Sequence, residues 1–449
     1  MASAKNVPNN RKLSLRGAFL IANAFVWYFL VANILEKIVG NVALVNSTES
    51  LVIWTFHFGS LFISLVIGTF LTKFVDGRKF LICWALMGII SPLILVFIPI
   101  STTSLAVFVA FLFGFSLGIG MPNCMNYFTK ITSNDNRGKY GGLVMLISGI
   151  GLFALGITDI GLIQVDAIVL SLWRLAGLLV LFSLPKSNKE LNVNKTSDNV
   201  TYKTLLSQRS FILYLIPWLM FSLVTYLTTP IQYDMIGTQA VKMLLVVENI
   251  IIGISAVVAG HLSDLIGRKR IAMVGFVLLG LGYAVLGLIS SDRANSANIL
   301  GWYFYTVVDG IAWGILFVVF IVVIWGDLSY GRYSDKYYAL GVLPFFISKY
   351  LQIAIGTDIA GAIPSYAIFS FTALFLFLAI LPLYYAPETL SDKKIKEREL
   401  KGYIEKAKKT AQKDEEKKQK SDRNKAQTNP EEKNREEYEK AKQLAEKYY

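Results

Sequence analysis

The sequence predicts an all-α membrane protein whose twelve transmembrane helices form two six-helix bundles related by an internal repeat. Three observations carry that prediction: uncharged apolar runs of bilayer length, basic residues gathered in alternate loops, and matched segments at nearly one offset. Apolar residues make up 54% of the 449-residue chain, and stretches such as Phe80 to Ile100 and Ile271 to Ile289 hold no charge at all. A helix of about 20 residues crosses a hydrocarbon core of about 30 Å, whereas a soluble helix of that length would carry charges along one face.

The predicted spans cover residues 17–38, 50–74, 80–100, 104–128, 140–160, 165–184, 211–230, 241–260, 271–290, 299–325, 339–356 and 364–385. Ahead of the first lie Lys5, Arg11, Lys12 and Arg16, with no small-residue cleavage site behind a short hydrophobic stretch, so this run reads as a retained span. One set of loops holds Lys73, Arg78, Lys79, Arg137, Lys139, Arg268, Lys269 and Arg270, while the opposite set holds little beyond Lys37, Lys242 and Arg293. The positive-inside rule then places both termini in the cytoplasm of a multi-pass protein of the cell membrane. The net charge of +13 is explained by orientation in a lipid bilayer and calls for no nucleic-acid partner.

These features divide the chain into a cytoplasmic N-terminus (1–16), a first bundle (17–185), a polar linker (186–210), a second bundle (211–390) and a charged cytoplasmic tail (391–449). The Lys/Glu-rich tail reads as either a solvated helix or a disordered segment, with a break expected at Pro430. Its basic start at Lys393, Lys394 and Lys396 either lies along anionic lipid or is simply solvated, and its partner is unknown. Gly114-Phe-Ser-Leu-Gly118-Ile119 matches Gly310-Ile-Ala-Trp-Gly314-Ile315, Lys139-Tyr140-Gly-Gly-Leu143 matches Lys336-Tyr337-Tyr-Ala-Leu340, and Thr158-Asp159-Ile160 matches Thr357-Asp358-Ile359. The offsets run from 196 to 199, which indicates a duplicated unit.

Between spans eight and nine stands Gly260-His261-Leu262-Ser263-Asp264-Leu265-Ile266-Gly267-Arg268-Lys269-Arg270. A small residue there lets helix ends approach, and an acid four positions on can pair with a base on a neighbouring end. This loop resembles the signature of the major facilitator superfamily. Asn136-Arg137-Gly138-Lys139 and Trp173-Arg174 also resemble pairs common in its members, and Pro387-Glu388-Thr389-Leu390 resembles the stop of sugar-porter-like ones. The resemblance covers roughly residues 15–390. It implies a secondary transporter with a cytoplasmic gate at Gly260, Asp264, Gly267, Arg268 and Lys269, together with Arg78 and Arg137. The first-half copy, from Gly68 to Lys79, departs from the pattern: with Gly77-Arg78-Lys79 aligned, Phe74 takes the acid's place, and the gate there is expected to be built differently. The fifth span also lacks the Gly-Pro turn common in drug antiporters of the family.

Ionisable groups at membrane depth are functional candidates by default. Asp309 and Glu248 read either as proton-coupling groups or as partners of Lys349 in a structural ion pair. Lys349 and Arg174 are alternatively sites for an anionic substrate, and Arg174 also reads as a group that snorkels or pairs with an acid in an outer loop. Asn23, Trp27, Tyr28, Tyr214, Trp218, Tyr226, Tyr305 and Trp313 suit a small polar solute such as a sugar, or else serve as packing and interface residues. His57 is a relay or a packing residue, and Cys83 and Cys124 read as packing. No catalytic residues, cofactor or metal set is expected, since the chain has no phosphate-binding glycine loop, nucleophile elbow or spaced ligands. The expectation is a non-enzymatic secondary transporter of a small-molecule substrate. The alternative is a transporter-like sensor or scaffold acting through its tail.

Overall fold

Twelve helices among the described residues are long and apolar enough to cross a membrane, in agreement with the twelve predicted runs. The computed structural model describes residues 11–42, 47–156, 161–183, 201–290 and 297–448. Residues 1–10, the predicted match Thr158-Asp159-Ile160, most of the predicted linker and Arg293 lie outside them. The first six spans are α1 (Arg11–Val42), α2 (Ser47–Leu71), α3 (Gly77–Phe97), α4 (Thr103–Ile131), α5 (Arg137–Gly156) and α6 (Ile163–Phe182). A short helix, α7 (Tyr202–Leu206), precedes α8 (Arg209–Ile236), α9 (Thr238–Ile266) and α10 (Arg268–Ile289). The tenth span runs through α11 (Ala297–Phe317), a π-helical stretch (Val318–Val323) and α12 (Ile324–Leu328). The last two spans are α13 (Ser334–Ala362) and the pair α14 (Ser365–Leu378) and α15 (Ile380–Tyr385).

Helix ends follow local chemistry. Asp76 caps α3 by accepting from the amides of Arg78 and Lys79 at 3.0 and 3.2 Å. Only Gly267 separates α9 from α10, and its φ of +116° is one that L side chains rarely adopt. The π-helical stretch disturbs the regular hydrogen-bond ladder, and the Tyr338 hydroxyl donates to the Val322 carbonyl at 2.5 Å.

Each set of six helices packs on itself: α1 lies against α4, α5 and α6, and α2 against α4, while α8 lies against α13 and α9 and α10 against α11. The repeat is visible atom by atom. A Cβ at Gly118 would run into the Leu61 carbonyl and Ser64 Oγ of α2, and one at Gly314 into the Ile252 carbonyl and Ser255 Oγ of α9. Ser64 Oγ donates to the Gly114 carbonyl at 3.5 Å, just as Ser255 Oγ donates to Gly310 at 3.2 Å. Small residues allow these crossings where lipid offers no hydrophobic drive between helices. Large apolar side chains such as Ile63, Phe153, Leu179, Ile254 and Phe371 point outward, where acyl chains rather than water surround them.

Residues Ser391–Tyr449 form a separate unit, the 57-residue helix α16 (Asp392–Tyr448). Contrary to expectation, the helix runs unbroken through Pro430. Proline removes one hydrogen bond and leaves the bonds of the neighbouring turns in place.

Candidate functional site

Arg16 at the start of α1 donates to the Ser183 carbonyl just beyond α6, at the end of the molecule that also carries Arg78, Arg137, Arg268 and Lys269. At this basic end the two halves are tied by buried charge. The Gly267 turn folds Arg268 back beneath α9, fully buried, where it meets Asp264 at 2.7 Å and Asp327 at 3.1 Å. Its remaining donors reach the carbonyls of Ser263 at 2.6 Å and Asn134 at 2.5 Å. The second oxygen of Asp327 pairs with Arg137 of the first half. Asp264 accepts from the amides of Gly138 and Lys139 at 2.9 and 2.7 Å, so an acid of α9 caps the N-terminus of α5 across the divide. Glu388 accepts from the amides of Arg268 and Thr389 at 2.9 and 3.0 Å, and Thr389 Oγ1 donates to Asp327 at 3.2 Å.

The backbones touch beside this network. A Cβ at Gly260 would strike the Gly138 carbonyl and come within 3.0 Å of the Gly142 amide. Gly260→Ala must therefore push α5 away from α9. An overpacking cost of about 1–3 kcal/mol is expected, seen as a lowered melting temperature in detergent.

Two of the residues expected in this cluster stand elsewhere. Arg78 donates to the carbonyls of Leu181 and Phe182 at 3.4 and 3.2 Å, and Lys269 to those of Tyr384 and Ala386 at 2.6 and 3.0 Å. Each base thus holds the last turn of the sixth or twelfth span in its own half, where helix carbonyls lack partners. In the first-half copy, Phe74 is 72% exposed against Phe70 and does not stand in for the acid. Counted from Gly68, whose Cβ position is blocked by the Ile119 carbonyl, the equivalent of Asp264 is Thr72. Thr72 Oγ1 donates to Asp335 at 3.3 Å, so the acid sits on the first turn of α13 and the hydroxyl on the loop side.

Beyond the basic end lies a cavity of about 480 Å³ walled by α1, α5, α8, α9, α11 and α13. Tyr28, Tyr226, Glu248, Tyr305, Asp309, Trp313 and Lys349 line it, as do Asn33, Glu36 and Gln232, which sequence reasoning missed. Asp309 is 3% exposed; its carboxyl faces Glu248, Tyr305 and Trp313, and its Oδ1 has no hydrogen-bond partner. Gln232 Nε2 donates to the Tyr305 hydroxyl at 3.0 Å. Lys349 donates to Gln352 at 2.9 Å and lies 5.6 Å from the Tyr226 ring centre. Among the described residues it makes no ion pair with Asp309 or Glu248, because Gln352, one turn along α13, and the Tyr226 ring hold its ammonium.

Arg174 and Asn23 do not reach the cavity. Arg174 is buried within the first half, 4.0 Å from the Trp84 ring centre, and donates to Asn23 Oδ1 at 3.0 Å. Asn23 donates in turn to the Trp173 carbonyl at 2.6 Å, and Trp27 Nε1 to that of Gly88 at 2.8 Å. The guanidinium is therefore an internal brace, neither snorkelling nor paired with an outer acid; the outer acid Asp166 binds Lys37 at 2.6 Å. Trp218 is wholly buried among Phe221, Phe320 and Phe345, and the Tyr214 hydroxyl donates to the Pro387 carbonyl at 2.6 Å, so both are packing residues. His57 Nδ1 lies 3.1 Å from the Ala110 carbonyl, between α2 and α4.

A family model described as the Major Facilitator Superfamily matches residues 16–325. The chain belongs to this superfamily. Solved members share its fold. The proton:xylose symporter XylE, bound to 6-bromo-6-deoxy-D-glucose, superposes with a TM-score of 0.66 at 14% identity, over 85% of this chain and 97% of that one. The human organic anion transporter MFSD10 (TETRAN) gives 0.57 at 13% identity, over 84% and 100%. No curated protein matches the sequence. As a member of the major facilitator superfamily, this chain is a multi-pass membrane transporter.

Proposed function

We infer that the protein is a secondary active transporter that moves a small solute by alternating access and couples the movement to protons. The observation that carries this reading is a cavity walled by both halves, with a charged network joining the same two halves at the basic end. The bundles (17–185 and 211–390) rock about the solute, joined by the linker (186–210). The basic excess supports a cytoplasmic assignment for that end and both termini, making Asp264, Arg268, Arg137 and Asp327 the cytoplasmic gate. The state described is then outward-facing.

The proton site is the pair Asp309 and Glu248. A proton shared between two facing carboxyls relieves their like-charge repulsion, and release restores it. Glu36 of α1, Lys349 of α13 and the hydroxyls of Tyr28, Tyr226 and Tyr305 are the other charged and titratable groups that line the cavity. The fold neighbour XylE, a proton symporter, supports coupling of this kind.

The test is solute movement in proteoliposomes, using a panel of sugars, organic acids, amino acids and organic amines. Wild-type protein should respond about ten-fold to an imposed pH gradient. At equal pH and saturating solute, Asp309→Asn and Glu248→Gln should still exchange solute but lose that response. A response undiminished in both variants would remove the pair from the coupling step.

A further inference from the structure

We propose that the cavity takes an amphiphilic amine: a protonated amino group carried on an apolar body. This rests on the transport reading above and names its substrate class. The polarity of the walls is ordered along the helix axes. Tyr305, Asp309, Trp313, Phe317 and Ile321 recur every fourth residue of the tenth span, polar at the far end and apolar toward the basic end. On α1 the order is the same, with Glu36 and Asn33 beyond Phe29 and Phe25. At its floor the chamber shares Phe29, Phe317 and Phe345 with an apolar pocket of about 50 Å³ that includes Leu117, Met121 and Val342. A sugar, hydroxylated around its whole ring, would turn hydroxyls toward that floor and lose their hydration with nothing in return.

The sign of the head group follows from the charges and from one unsatisfied atom. Three carboxyls, Glu36, Glu248 and Asp309, face a single ammonium, Lys349, which Gln352 already engages. Asp309 Oδ1 is buried, borders the cavity and lacks a donor, and an alkylammonium brings N–H groups that would fill the vacancy. Tyr305 and Trp313 stand beside that carboxyl and line the chamber with it, and the Tyr226 ring of the same chamber already holds the Lys349 ammonium at 5.6 Å.

A matched series tests the proposal: adamantylamine, adamantanol, adamantanecarboxylate and, as a hydrophilic reference, xylose, titrated into purified full-length protein at neutral pH. The amine should bind at least ten-fold tighter than the alcohol, the carboxylate should not bind, and Glu248→Gln should weaken the amine ten-fold or more. Equal binding of amine and alcohol, or tighter binding of the carboxylate or xylose, overturns the assignment; this comparison uses wild-type protein and needs no variant to fold. Counterflow with the same compounds separates the two levels of the argument. Exchange of xylose or the carboxylate but not the amine keeps the transport reading and overturns the amine, whereas exchange of no compound, extended to the wider panel, overturns both.

Discussion

Asp327→Asn is expected to lower stability by about 3–5 kcal/mol, the cost of stranding a buried charge by removing its partner. Asp327 is 1% exposed and is shared by Arg137 and Arg268, themselves 2% and 0% exposed. An amide in its place carries no compensating charge for either guanidinium. Because one of these bases belongs to each half, the basic end loses most, and the population should shift toward states in which that end is open. Asp264→Asn should be milder, since Arg268 keeps Asp327 and the amide oxygen can still accept from one of the two α5 amides that Asp264 engages through separate oxygens. Thermal unfolding of the two variants in the same detergent checks the order.

The second large effect concerns Arg174. Arg174→Ala should destabilise by about 2–5 kcal/mol, the range for emptying a buried site of a long side chain. The arginine fills the space between Trp84 and Trp27 and touches Gly88, where even a Cβ would come within 2.7 Å of its Nε. Arg174→Met should recover most of that loss, because it restores the volume and removes a buried charge that has no acidic partner among the described residues. Solute movement by the methionine variant should match wild type. A stable Arg174→Met protein that no longer binds solute would return Arg174 to the list of substrate ligands.

The contrast between Arg174 and Asp309 shows which parts of the structure were legible in the sequence. Span number, the repeat and the loop signature were readable because bilayer thickness and glycine contacts impose them on composition and spacing. Helix rotation was not. Asn23 and Tyr28 lie on the same helix, yet Asn23 turns toward α6 and Tyr28 toward the cavity, and hydropathy along a span does not say which of its polar residues faces which neighbour. Asp327 escaped because the tenth span was expected to end at residue 325, two residues short of the acid, whereas the helix continues to Leu328. A signal was available in the spacing of Tyr305, Asp309, Trp313 and Phe317, which marks the cavity face of the tenth span. The first-half acid was misplaced for a different reason. Alignment on Gly77-Arg78-Lys79 hides two extra residues in the loop, and only the helix crossing at Gly68 reveals Thr72 as the equivalent position.

Alternation itself is tested most directly by side-specific labelling. Ser148 lines the cavity beside α1, and a single cysteine there, in a Cys83→Ala and Cys124→Ala background, reports which side of the membrane reaches the chamber. A membrane-impermeant maleimide applied to oriented vesicles should label Ser148→Cys from the outside only. With Asp327→Asn added, labelling from the cytoplasmic side should appear. Labelling from the cytoplasmic side in the parent protein, or a pattern unchanged by Asp327→Asn, would contradict a gate held shut by the Arg137, Asp327 and Arg268 network.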